Sequence, residues 1–123
     1  MNAKILKLKG NGSIYQFSGT INVSNTLEIG VPGGCAITTF KSTSDGNTAT
    51  INSDVSSIAA YLDVKDIIFT SSNSATLTAN NSIDNGNNSG INFGLLGNRT
   101  FYWVGGTGNW SEGSHWSSSS GGV

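Results

Sequence analysis

Leu62-Asp63-Val64 and Ile67-Ile68-Phe69 follow each other with only Lys65 and Asp66 between them. Alternation turns Leu62 and Val64 inward and sets Asp63 and Lys65 on the opposite, outward face. The same short pattern recurs along the chain at Leu6-Lys7-Leu8, Ile14 to Phe17, Ile21-Asn22-Val23, Leu27-Glu28-Ile29, Ile37 to Phe40, Ala49-Thr50-Ile51 and Ala75-Thr76-Leu77. Between the runs lie the turn signals Asn11-Gly12, Ser18-Gly19, Gly33-Gly34, Asp45-Gly46 and Asn85-Gly86. A small Greek-key sandwich needs strands of about five to six residues at regular spacing. Runs of three or four residues with one or two inward side chains suit a coil in which every turn adds a little to a long, narrow core. The starts at Leu6, Leu27 and Leu62 give no fixed period, which excludes a strict short-repeat solenoid. The expected fold is all-β: an irregular right-handed parallel β-helix, or β-solenoid, with loops of varied length. Its rungs stack about 4.8 Å apart, and Asn amides at the corners hydrogen-bond from rung to rung. The expected inward stack is Leu6, Leu8, Phe17, Val23, Leu27, Ile29, Ile37, Phe40, Ile51, Leu62, Val64, Phe69 and Leu77.

Composition supports that reading and removes others. Ser, Thr, Asn and Gly supply 63 of the 123 residues, charged residues only 11%, and the net charge is -1. Helix formers are few, whereas Thr, Ile, Val and aromatic residues between Gly, Asn and Ser clusters mark strands and turns. The charge leaves no footprint for nucleic acid. No apolar run approaches the roughly 20 residues of a membrane span, so membrane insertion is not expected. Residues 1–10 interleave Lys4, Lys7 and Lys9 with Ile5, Leu6 and Leu8 and lack the continuous apolar stretch of a signal peptide. The single cysteine, Cys35, reads as a small buried hydrophobe beside Ala36 and Ile37.

Composition shifts sharply near the end. Residues 101–123 hold five of the eleven aromatics, including all three tryptophans. The chain therefore divides into parallel β-helix rungs over 1–93, a connector over 94–100, and a Trp-rich β segment over 101–123 whose tail from Ser117 to Gly122 reads as a loop.

Two stretches carry a family resemblance. The first is Tyr61-Leu62-Asp63-Val64-Lys65-Asp66 with Asn81-Ser82-Ile83-Asp84-Asn85-Gly86-Asn87-Asn88-Ser89-Gly90-Ile91-Asn92-Phe93. The second is Phe101-Tyr102-Trp103-Val104-Gly105-Gly106-Thr107-Gly108-Asn109-Trp110-Ser111 with His115-Trp116-Ser117. The first resembles the closing rungs, and the second the opening motif, of repeated parallel β-helix modules in giant bacterial cell-surface adhesins, including those of gliding bacteria. Similar modules occur in bacteriophage structural proteins. Ile91 stands where the pattern has a tryptophan, and the segment between Asp66 and Asn81 lacks the usual glycines. The resemblance implies an extracellular, bacterial cell-surface setting, with the virion as alternative, and a chain that joins the end of one module to the start of the next. It implies adjacent modules as partners, stacked head-to-tail, in a structural and adhesive stalk; a phage fibre or tail component is the alternative.

The Trp-rich segment has two readings of its own. Tyr102, Trp103, Trp110 and Trp116 either form the module interface, capping the open end of the core near Phe93, or a platform that stacks on surface glycans, which would make the segment a carbohydrate-binding module. Asp84, Asn85, Asn87 and Asn88 offer hard oxygens of the kind Ca2+ takes, although an Asn/Gly turn is the favoured reading because only one is a carboxylate. His115 has neither a second histidine nor a cysteine nearby and is a poor metal ligand. Asp63 and Asp66 read as a solvated charge cluster, and with Arg99 the only arginine, no enzyme is expected.

Overall fold

The computed structural model describes residues 1–30, 36–94 and 101–117; Cys35, most of the connector and the Ser-Gly tail beyond Ser117 fall outside them, while Ser117 itself, expected in the loop, belongs to a strand. The described chain is all-β apart from one short 3-10 turn, and it winds into a β-solenoid of about four turns with parallel strands. The strands are β1 (Asn2–Leu8), β2 (Ile14–Phe17), β3 (Thr20–Ile29), β4 (Thr38–Ser42), β5 (Ala49–Ser53), β6 (Ser57–Ala60), β7 (Leu62–Lys65), β8 (Ile67–Thr70), β9 (Leu77–Asn80), β10 (Ile83–Asp84) and β11 (Ile91–Phe93).

They form three parallel sheets. One runs β1-β3-β5-β8, the second β2-β4-β7-β10 and the third β6-β9-β11. A bridge between Gly30 and Ala60 joins β3 to the third sheet. Ile21, Ile51 and Phe69 stand in register on the first sheet, as do Phe40 and Val64 on the second. On the third, Ser57, Leu77 and Ile91 are in register. The core is this stack, with Ile51, Ala49, Ile67, Ala59 and Ala79 fully buried. Such a core is one side chain deep on each side, so its stability comes from the rung above and the rung below.

Corners explain the uneven spacing. Around rung four, a single residue separates β6 from β7 and another separates β7 from β8: Tyr61 at φ 60° and Asp66 at φ 59°. These left-handed residues turn the chain in one step. Elsewhere a corner takes six residues, as between Ser42 and Ala49. Gly30, at φ 81°, sits where an added Cβ would run into the carbonyl oxygen of Ala60, so two neighbouring rungs can approach there only because the side chain is missing.

Several expectations are corrected. Ile37 is 42% exposed, because β4 begins one residue later and it is Thr38 that points inward, satisfied by donating 2.5 Å to the Gly10 carbonyl. Leu6, Leu8 and Phe17 are only half-buried, since they lie on the first rungs. Strands are not uniformly short: β3 runs ten residues through Ser24 and Asn25, where β1 and β3 shift register as the strand bends. The last expected run starts later, at Leu77 instead of Ala75. Asparagines at a corner do bond from rung to rung as expected, Asn85 to Asp63 and Asn87 to Asp66, and a further ladder stands on a sheet face. Asn22 Nδ2 donates to Asn2 Oδ1 (2.9 Å), Asn52 Nδ2 to Asn22 Oδ1 (3.0 Å), and Thr70 Oγ1 to Asn52 Oδ1 (3.1 Å).

Candidate aromatic binding site

After the solenoid, β12 (Tyr102–Trp103) pairs antiparallel with β13 (Trp116–Ser117), with Trp103 opposite Trp116. Val104 is the only aliphatic residue of 101–117, so stacked rings and local hydrogen bonds must hold this hairpin in place of an aliphatic core. Trp103 lies parallel to His115, with centroids 4.7 Å apart and planes 5° apart. Trp116 meets Trp103 edge-on at 5.3 Å, and Trp110 tilts against both, at 5.6 Å from Trp103 and 5.1 Å from Trp116.

Trp103, Trp116 and His115 are each fixed by a polar tether. Trp103 Nε1 donates to the Gly106 carbonyl and Trp116 Nε1 to the Trp110 carbonyl, both at 2.9 Å. His115 Nδ1 lies 2.8 Å from the Gly105 carbonyl oxygen, and its Nε2 lies 3.2 Å from Glu112 Oε2. Asn109 Nδ2 donates to the other Glu112 oxygen at 3.1 Å. Gly108 passes directly over this pair, where a Cβ would collide with His115 Nε2. The imidazole is thus clamped as a backing plate for Trp103.

The arrangement sorts the four aromatic candidates. Trp110 is 78% exposed and Trp103 37%, and together with Thr107 and Gly108 they line an open cleft of about 350 Å³. Trp116 is half-buried beneath them as a support. Tyr102, 40% exposed, neighbours Trp103 on the strand and so faces the other side of the hairpin. Within the segment Phe101 also meets Trp116 edge-on, at 6.5 Å.

The Asn-rich loop spends its polar groups on the preceding rung. Asn85 Nδ2 donates to Asp63 (3.1 Å), Asn87 Nδ2 to Asp66 (2.6 Å) and Asn88 Nδ2 to the Val64 carbonyl (2.8 Å), while Asn88 Oδ1 accepts from Ile67 N. Asp84 Oδ1 accepts from Gly86 N and Asn88 Nδ2. Among the described residues no three His, Cys, Asp or Glu gather as a metal site. The reading of Asp66 as a solvated charge is overturned: it is buried, and its carboxylate accepts from Asn87 and, at 3.0 Å, from Gly46 N. The Asn87 bond foremost, then the Gly46 bond, holds its pKa below the usual carboxylate value. Asp63 and Lys65 do face outward, Lys65 reaching Asp45 at 3.2 Å.

Asp54 has a role that its surroundings in the sequence do not advertise. Its carboxylate accepts from the Ser72 hydroxyl (2.6 Å), Ser72 N (2.7 Å) and the Ser71 hydroxyl (3.0 Å), tying the loop after β8 to the rung before it. Those bonds, the Ser72 hydroxyl first, lower its pKa. A groove of about 430 Å³ runs along Asn2, Asn22 and Asn52 to this carboxylate; its three asparagine amides bond to one another and Asp54 is held by Ser71 and Ser72. Among the described residues no helix is long and apolar enough to cross a membrane. Comparison of the chain with protein-family models, curated proteins and solved structures finds no match.

Proposed function

We propose that the chain is a structural and adhesive module, a stiff β-solenoid segment of an extracellular surface filament or giant adhesin. The observation that carries this reading is the rung-to-rung ladder in three parallel sheets, which ends in edge strands on both sides. Among the described residues, β1, β2 and β6 are edges at one end and β8, β10 and β11 at the other. Half-buried Leu6, Leu8 and Phe17 lie at the first end and Ile91 and Phe93 at the second, so each end presents ladder groups and apolar surface to a following module. Lys4, Lys7 and Lys9 on or beside β1, two of them paired with Glu28, oppose indiscriminate strand addition at that edge while leaving a registered neighbour free to dock. Tension along such a stack is shared by many parallel backbone bonds, and the Ser/Thr/Asn exterior keeps it hydrated at low net charge.

The test is protease shaving of intact source cells followed by immunoblotting with an antibody against this chain. The expected result is a polypeptide far larger than 12.7 kDa that is lost on shaving. A protected intracellular polypeptide refutes the reading, as does a trimer that purifies with virions, which would establish the phage-fibre alternative.

A further inference from the structure

We infer that the cleft between Trp103 and Trp110 is a binding subsite for the sugar rings of a neutral polysaccharide. Trp110 leaves 78% of itself in water although it has two tryptophan neighbours against which it could be covered. An indole held this way is a large apolar face kept available, and its exposure is unrelated to closing the solenoid core. Trp103 presents an edge of the same cleft while its plane is set from behind by His115, which is itself held by Glu112 and the Gly105 carbonyl. The two indoles meet at 51°, so they form an angled cradle and not a flat wall.

Size and charge select the occupant. The cleft volume, about 350 Å³, falls in the range of small-ligand sites, roughly 300–1,000 Å³. A protein partner would need about 800 Å² of surface from this side, far more than two rings and a glycine turn supply. Residues 101–117 contain no Lys or Arg, and their one carboxylate, Glu112, is engaged by His115 and Asn109. Nothing here would neutralise a uronic acid or a sulfate, whereas a pyranose offers C–H faces to indole by dispersion and hydroxyls to the polar rim. Thr107, exposed at the cleft wall, supplies a hydroxyl at that rim.

The experiment is affinity electrophoresis of the intact chain in gels cast with soluble glucan, mannan or galactan, and with alginate as the anionic comparison. Retardation by at least one neutral polymer is expected, with none by alginate. Trp110→Ala should weaken it at least tenfold with an unchanged circular dichroism spectrum, since the Trp116 tether uses only the Trp110 backbone. Thr107→Arg, which fills the cleft without removing either ring, should weaken it comparably, and Ile58→Ala on the solenoid should leave it unchanged. The inference is overturned if no neutral polymer retards the chain, if alginate retards it equally, or if Thr107→Arg and Trp110→Ala migrate as the parent does. This outcome is independent of the shaving experiment, because a stalk module need not bind sugar.

Discussion

Replacing Ile51 by alanine should be among the most damaging single changes in the solenoid. Ile51 is fully buried, with Ile21 in register on one side and Phe69 on the other. The substitution removes three carbons, worth about 0.8 kcal/mol each on transfer, or about 2.4 kcal/mol. Incomplete collapse of the resulting cavity adds roughly 1 kcal/mol, for a total of about 3–4 kcal/mol, within the range of about 2–5 seen for such truncations. Small domains hold only about 5–15 kcal/mol in all. Because the rungs couple mainly to their neighbours, weakening a central one should also broaden the transition and lower its denaturant slope. The assay is urea unfolding followed by far-ultraviolet circular dichroism. Tryptophan fluorescence is a second, separate probe, since all three tryptophans lie between residues 103 and 116 and report the hairpin. Ile58→Ala, on the next strand but 73% exposed, is the comparison and should cost no more than about 0.5 kcal/mol. A loss below 1 kcal/mol for Ile51→Ala, or equal losses for the two variants, would refute the stacked-core reasoning.

Asn22 both donates and accepts in the ladder, so Asn22→Ala should cost about 1 kcal/mol in the same urea assay, and a neutral result would show the exposed ladder to be ornamental. Gly30→Ala should destabilise by more than about 1 kcal/mol, because the new Cβ meets the Ala60 carbonyl at a positive φ; an unchanged melting temperature would contradict that close approach. The carboxyls of Asp66, Asp54 and Glu28 all have lowered pKa values in the fold, through Asn87, Ser72 and Lys9 respectively. A depressed carboxylate stabilises fully above its unfolded value near about pH 4 and ceases to do so as pH falls through the lower folded value. Melting temperature should therefore drop below about pH 4 and the drop should flatten in Asp66→Asn, whereas a rise on acidification would reverse the sign.

What could be read from the residues alone follows from how each position earns its place. Leu62 and Val64 alternate with charged partners, so their inward direction is plain, and the uneven spacing of apolar runs translates directly into corners of unequal length, from the single residues Tyr61 and Asp66 to the six between Ser42 and Ala49. Asp66 is opaque because a single-residue corner between two strands leaves no turn signature; beside Lys65 it resembles an ordinary surface charge until its bonds to Asn87 and Gly46 are seen. β6 hides for the opposite reason. Its one β-branched residue, Ile58, faces solvent, while small Ser57 and Ala59 fill the narrow interior, and the buried Ser57 hydroxyl is satisfied by the Leu27 carbonyl at 2.6 Å. The aromatic candidates were legible as a group, but their division into a cleft, a support and a far-side residue depends on strand alternation and on the His115 clamp, which only the folded hairpin supplies.

The asparagine ladder also gives the molecule a direction. Every side-chain donor in it points the same way, from Thr70 through Asn52 and Asn22 toward Asn2. One end of the column therefore finishes in amide N–H groups and the other in a hydroxyl oxygen able to accept. Two copies meeting by their first rungs would set donor against donor, whereas a copy arriving in the same sense continues the series. Polarity of this kind would make growth of the stack vectorial, a column that can be extended but not mirrored.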